Sequence, residues 1–395
     1  MNHFMKKRFL CLIAILAMVA VGHAKDDGGQ WTGTWAAAAE FTGPSDMPKE
    51  SLSERSLREI VKVSIGGSTL RLQLSNEFGN SEVDIRSIYI ADARDGWEID
   101  AKSARYLTFN GKRNVTIAAG EAIFSDVLKY ALKPLQRLSI TINYGARTPE
   151  HATSHRGSRT TSYIIKGVSK PKSSFDGAEQ ADHWYNIAAI DVLAPETTPS
   201  VAILGNSITD GRGSTTNLQN RWPDFLAEAL GGQVAVLNLG IGGNCVVEGG
   251  LSEPALKRFD RDILGQRGVK TLVIFEGVND IGGSRGRVEQ KTEKLIEAYE
   301  TLIAKAREKG LKVYVGTITP FRKSFYYDHF REAARQTVND WIRNFDFIDG
   351  VIDFDKVVRD EADSRMLKEE YSDDWLHLNP KGYEVMGRYA AGYLK

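Results

Sequence analysis

Five residues sit in short blocks whose combined chemistry is acyl transfer. Ser207 lies in "AILGNSITDGRG", Gly243 in "NLGIGGN", Asn279 in "FEGVNDIG", and Asp374 and His377 in "DDWLHLNPKGY". A serine hydroxyl attacks a carbonyl only when a neighbouring base takes its proton. A histidine suits that task, provided that a carboxylate fixes its tautomer and orientation. Asp374 and His377, three apart in a turn, are spaced to do this. The charge that develops on the attacked oxygen needs fixed donors. A glycine corner bares backbone N–H groups and an asparagine amide adds another. Each block alone has a plainer explanation: a serine after a strand is an N-cap, and a glycine cluster is a turn.

The elements that must hold these residues have two rhythms. From about residue 31 to 194 the chain reads as short alternating strands: "LREIVKVSI" (57–65), "TLRLQLSN" (69–76), "VDIRSIYIADA" (83–93), "VTIAAG" (115–120), "LSITINYG" (138–145) and "YNIAAIDVLA" (185–194). The first two are predicted to form a hairpin across Gly66-Gly67. "SKPKSSFDGAEQAD" (169–182) reads as a surface loop. The whole region is expected to be an all-β sandwich domain. "APETTPS" (194–200) reads as a linker, and beyond it the runs become almost uniformly apolar: "VAILG" (201–205), "VAVLNLG" (234–240), "TLVIFEG" (271–277) and "KVYVGTIT" (312–319). Such runs are strands buried on both faces. Between them lie helical stretches. In one, Leu295, Ala298, Tyr299, Leu302, Ile303 and Ala306 share a face, and Gly310 stops the helix. The expected architecture is α/β: a three-layer α/β/α, doubly wound, mostly parallel sheet, preceded by the sandwich. Ligands bind such sheets beyond the carboxyl ends of the strands, where the first three blocks fall, while the Asp374–His377 block stands before the last helix.

With order, spacing and placement in hand, these blocks resemble the SGNH, or GDSL-type, hydrolase superfamily. The resemblance covers residues 198 to 395 and implies the SGNH hydrolase fold. It implies Ser207 as nucleophile, His377 and Asp374 as its base and orienting acid, and an oxyanion hole made by Ser207, Gly243 and Asn279. No metal or organic cofactor is implied. One departure is Asn206, where the GDSL motif has aspartate; it lies outside the catalytic set. The longer wording, "GNSITDGRGSTTNLQNRWPDFLAEAL", "LNLGIGGN", "RFDRDIL" and "FEGVNDIG", resembles two-domain secreted esterases of polysaccharide-degrading bacteria. "SLREIVKVSIGGSTLRLQLSNEFG" resembles the β-rich domain that precedes the catalytic domain there. That branch implies a serine esterase removing O-acetyl groups from carbohydrates, with lipase or arylesterase activity as the alternative. A carbohydrate-binding protein with a vestigial hydrolase domain is the reading from another class. An α/β-hydrolase elbow fits less well, because Thr209 stands where its second glycine should be. A phosphate loop lacks its lysine.

Composition sets the bounds. The chain has 395 residues, 42% hydrophobic and 26% charged, as in globular proteins, and its length accommodates two domains. The opening "MNHFMKKRFLCLIAILAMVAVGHAK" has a basic start, an apolar run and small residues before Ala24, the layout of a secretory signal peptide. Its apolar run is shorter than the ~20 residues of a membrane span. The expected division is therefore a leader over 1–24, a β-sandwich accessory domain over 25–196 and a catalytic domain over 197–395, in a protein exported to the periplasm or outside, with no stable membrane anchor. Losing Lys6, Lys7 and Arg8 and no acids moves the formal balance from 0 to −3, and Cys245 is then the single cysteine. Charges of both signs are interspersed, so no nucleic-acid partner is indicated. The expected partner is an acylated small molecule or polysaccharide; nothing in the sequence speaks to assembly.

Other candidates have plainer roles. His151 and His155 read as surface or interface residues rather than zinc ligands, with His155 able to reach the other domain. His183 and His329 read as structural. Asp210, Asp280 and Asp373 are expected to cap or turn, and Arg221, Trp222 and "RFDRD" (258–262) to pair and pack. Among Phe321, Phe325, Tyr326 and Tyr327, burying a helix is favoured over stacking on a sugar. Cys245 reads as a packing residue.

Overall fold

The computed structural model describes residues 29–395; the predicted leader over 1–24, with Cys11, lies outside the described residues. The N-terminal region is largely strands, all paired antiparallel. One sheet has the order Gly29–Ala36, Ile187–Pro195, Gly67–Ser75, Ala122–Phe124, with Leu128–Leu132 also on Gly67–Ser75. A second runs Glu179–Ala181, Ser162–Lys166, Arg55–Lys62, Arg137–Tyr144, Val83–Asp92, Arg105–Tyr106, with Val115–Ile117 also on Val83–Asp92. A small third joins Trp184–Tyr185, Thr153–His155 and Glu40–Phe41. Leu70, Leu72 and Leu74 of the first sheet share one core with Leu57, Ile88 and Ile140 of the second, since period-two alternation turns one face of each strand inward.

The predicted hairpin does not form. Arg55–Lys62 and Gly67–Ser75 belong to different sheets, and Gly66-Gly67 lies where the chain crosses between them. Neither glycine has the positive φ that the two-residue hairpin turns demand at one or both central positions. A Cβ on Gly66 would sit 2.5 Å from the Leu132 carbonyl, so close approach, not turning, explains that glycine. The expected surface loop over 169–182 is also anchored: Phe175 is buried beneath the Arg58 guanidinium, 3.9 Å from the ring centre.

The C-terminal region is built on a five-stranded parallel sheet: β1 (Ser200–Gly205), β2 (Ala235–Gly240), β3 (Thr271–Phe275), β4 (Lys312–Gly316) and β5 (Gly350–Ile352), in the order β2-β1-β3-β4-β5. Parallel neighbours need long crossovers, supplied here by helices. The single turn α1 (Ser207–Asp210) and α2 (Trp222–Ala229) lie between β1 and β2, the short helix Ala255–Phe259 between β2 and β3, α3 (Val288–Glu308) between β3 and β4, and α4 (His329–Asn344) between β4 and β5; α5 (Pro380–Ala391) follows β5. The six predicted face residues of α3 are all buried, and Gly310 follows its end at φ 74°. Helix α2 packs with α5, and α3 with α4, giving two helical groups around the sheet. The chain passes from β1 to β2 on one side and then crosses to β3 on the other side of β1, so the switch in strand order falls at the end of β1, beside Ser207.

The two regions meet along the first strand. Gly29–Ala36 lies against β2, where a Cβ on Gly33 would come within 3.0 Å of Leu237. Ser64 Oγ accepts from the Val236 N–H, and Lys62 pairs with Glu228 of α2 at 2.5 Å.

Candidate active site

Ser207 is the first residue of α1, directly after β1. Asn206 supplies the cap: its side chain accepts the Ile208 N–H at 3.0 Å, and an N-cap of this kind is worth ~1 kcal/mol. So the asparagine that departs from the expected motif has a local job. The Ser207 hydroxyl lies 2.9 Å from His377 Nε2, and His377 Nδ1 lies 2.7 Å from Asp374 Oδ2. A carboxylate only accepts, so Nδ1 carries the ring proton and Nε2 is left to accept from the serine. The Oδ1 of Asp374 takes the backbone N–H groups of His377 and Leu376 at 2.7 and 3.0 Å. Burial pulls the Asp374 carboxyl upward, but these hydrogen bonds and the imidazole outweigh it and hold the group well below the usual carboxylate range.

The turn carrying this pair is locked just ahead of α5. Ser372 Oγ donates to the His377 carbonyl at 2.6 Å and accepts from the Trp375 N–H at 2.9 Å. Trp375 adopts φ 62°, and Asn379 caps α5 through the Lys381 and Gly382 N–H groups.

Opposite His377 stands the glycine corner. Gly243 has φ 68°, and a Cβ there would come within 2.9 Å of Leu251. Among the described residues, neither its N–H nor that of Ser207 has an acceptor. The Asn279 amide is oriented from both ends: Nδ2 donates to the Asn244 carbonyl at 2.7 Å, and Oδ1 accepts from the Tyr326 hydroxyl at 3.0 Å. One amide proton stays free to donate. Asp280 accepts the N–H groups of Val246 and Val247 at 2.9 and 3.1 Å, and burial pushes its carboxyl up to about 6. Beneath the site the buried Arg258 donates to the carbonyls of Gly205 and Leu239, and to Asn244 Oδ1. "RFDRD" thus pairs and packs as expected, while tying the ends of β1 and β2 to the glycine corner. Glu276 lies buried 3.6 Å from Arg258, and burial pushes it up to about 8 despite that guanidinium.

Ser207, Gly243, Asn279, Asp374 and His377 line one open cleft of about 500 Å³. It has a second wall. Glu40, Asp46, Arg156, Arg159 and His183 reach it from the strand-rich region. Asp210, expected to cap or turn, is instead fully buried against His155 and Arg159 of that region. His155 is therefore an interface residue and not an exposed one, and His183, read as structural, lines the cleft. Of the four aromatics after β4, Phe321 is buried, Tyr326 holds Asn279, and Phe325 is 75% exposed at the cleft. Cys245 is buried, and burial pushes its thiol up, away from reactivity. Among the described residues no cluster of three or more His, Cys, Asp or Glu is placed to hold a metal.

The chain is 30% identical over 146 residues to an uncharacterized lipoprotein, YqeF, of Bacillus subtilis (strain 168); the match takes in 34% of this chain and spans about half, 56%, of that relative. Among solved structures it is similar to a GDSL-like lipase from Bacteroides thetaiotaomicron VPI-5482, at 18% identity and TM-score 0.40, over 50% of this chain and 89% of that one. It is also similar to a carbohydrate acetylesterase family member from Sinorhizobium meliloti, at 16% identity and TM-score 0.39, over 49% and 96% of the two chains. Residues 203–385 match the GDSL-like Lipase/Acylhydrolase family.

Proposed function

We propose that the protein is an exported serine ester hydrolase working through an acyl-enzyme. The reading is carried by the line of contacts Ser207–His377–Asp374, at 2.9 and 2.7 Å. Ser207 Oγ attacks the acyl carbon while its proton passes to His377 Nε2, and Asp374 stabilises the imidazolium through Nδ1. The N–H groups of Ser207 and Gly243 and the free amide proton of Asn279 hold the tetrahedral oxyanion. As the C–O bond breaks, His377 returns the proton to the departing alcohol. Water then attacks the acyl-serine, giving its proton to His377, and the acid leaves with the serine restored. Ser207→Ala is expected to abolish both hydrolysis of a chromogenic acetate ester and labelling by a fluorophosphonate. Retained turnover would overturn the assignment.

The preferred substrate is an O-acetylated carbohydrate. Support comes from the resemblance to secreted polysaccharide esterases, from the open cleft bordered by Glu40, Asp46, Arg156 and Arg159, and from exposed Phe325, whose flat apolar face suits a sugar ring. Acetate release should be measured across acetylated xylan, pectin, mannan and sialylated glycans; preference for long acyl chains would defeat this substrate. Arylesterase activity is the second reading, favoured by the apolar side chains of Leu251 and Phe325 on the cleft. In this reading residues 25–196 form a β-sandwich domain walling the site, 197–395 form the catalytic domain, and residues 1–24 direct export. The mass of the protein recovered outside the cytoplasm tests the last point.

A further inference from the structure

Asp210 closes α1, one turn beyond Ser207, and its side chain has no exposure to solvent. A buried carboxylate is tolerable only when fully paired. Its partners come from across the interface, in the stretch "HRGSR" (155–159). His155 Nε2 lies 2.9 Å from Oδ1, and the Arg159 guanidinium 2.9 Å from Oδ2. Gly157 backs onto the same group so closely that a Cβ would stand 2.0 Å from Oδ2. His155 Nδ1 faces the Ala38 carbonyl at 3.0 Å. Both ring nitrogens thus meet groups that only accept, which requires two ring protons: His155 is a buried imidazolium. The stretch also reaches the glycine corner. Arg156 binds Glu40 through its backbone and guanidinium and donates to Ser252 Oγ at 2.9 Å, next to Leu251, whose N–H bonds the Gly243 carbonyl at 2.9 Å.

We propose that His155, acting through Asp210, is a positioning residue for Ser207, so that the reaction centre is built jointly by both regions. This rests on Ser207 being the nucleophile. His155 touches neither serine nor His377; it sets where α1 sits. Because a displacement of about 1 Å at a reacting group can cost on the order of 10²-fold in rate, the effect falls on turnover more than on substrate affinity.

The test uses the full chain and p-nitrophenyl acetate, with active sites counted by end-point fluorophosphonate labelling. His155→Ala should lower kcat per labelled serine by about 10- to 100-fold while KM stays within about threefold. His155→Gln, which keeps a donor but not the charge, should fall between it and the parent, and stands in if the alanine variant fails to fold. Adding His155→Ala to Asp210→Asn should cost little beyond Asp210→Asn alone, since partners in one network do not add. Lys62→Ala, which cuts the Lys62–Glu228 ion pair across the same interface, should leave kcat within twofold. Unchanged kcat per labelled site in the histidine variants, additive losses in the double variant, or an equal loss in Lys62→Ala would each overturn the proposal. Failure of the nucleophile assignment would show separately, as turnover surviving in Ser207→Ala.

Discussion

Two aspartate–histidine pairs flank Ser207, and they are built on opposite plans. His377 and Asp374 are neighbours in one turn; the aspartate side chain is 46% exposed and the imidazole has a nitrogen left over for the serine. His155 and Asp210 stand 55 residues apart on different regions, are buried together, and leave no ring nitrogen free. The first has the means to accept and return a proton. The second has both ring positions spent on fixed acceptors, so it can only hold. Identical residue types are thus arranged in one place for proton transfer and in the other for holding, according to what the second ring nitrogen faces.

That contrast can be broken at its strong end first. His377→Ala should lower kcat on p-nitrophenyl acetate by at least about 10⁴-fold, far beyond any His155 variant; comparable losses in initial rate would erase the distinction. Asn279→Ala should cost about 10²–10³ in kcat with little change in KM, as expected for one oxyanion donor. Tyr326→Phe removes only the hydroxyl that orients Asn279, a bond worth ~1 kcal/mol, or roughly fivefold. A loss equal to that of Asn279→Ala would mean that the hydroxyl contacts the substrate itself.

The smallest effect is on stability against pH. Burial pulls the His155 imidazole down, but the hydrogen bond and charge of Asp210, with Glu40 and the Ala38 carbonyl, win and raise it above its ordinary value. Arg156, Arg159, Arg221 and His183 complete the surrounding charges. Asp210 is held below its ordinary value, with burial opposed by His155 and the arginines, and so stays ionised above pH 5. The contribution of His155 is then complete below an unfolded imidazole value of about 6.5 and is lost as pH rises through the higher folded value. The Tm gap between parent and His155→Gln should be widest near pH 5 and narrow toward pH 9. A gap independent of pH would say that the ring is held as a neutral spacer.

What the sequence reveals follows the same divide. Ser207, Gly243, Asn279 and His377 are legible because each lies just past an apolar run or just before a helix, so local pattern locates it. The α3 face is legible for the same reason. The His155–Asp210 contact is not, because no period or spacing links a strand-region loop to a helix in the other region. Gly66-Gly67 misleads because a glycine pair marks close approach as readily as it marks a turn. Strand β5 escapes because Gly350–Ile352 is only three residues long, too short for an apolar run to register.

Gly157 gives this arrangement its reach. A single methyl there would press on the Asp210 carboxylate from a segment that carries no reacting group. An alanine scan of the wall alone would register as a fault in the engine it encloses.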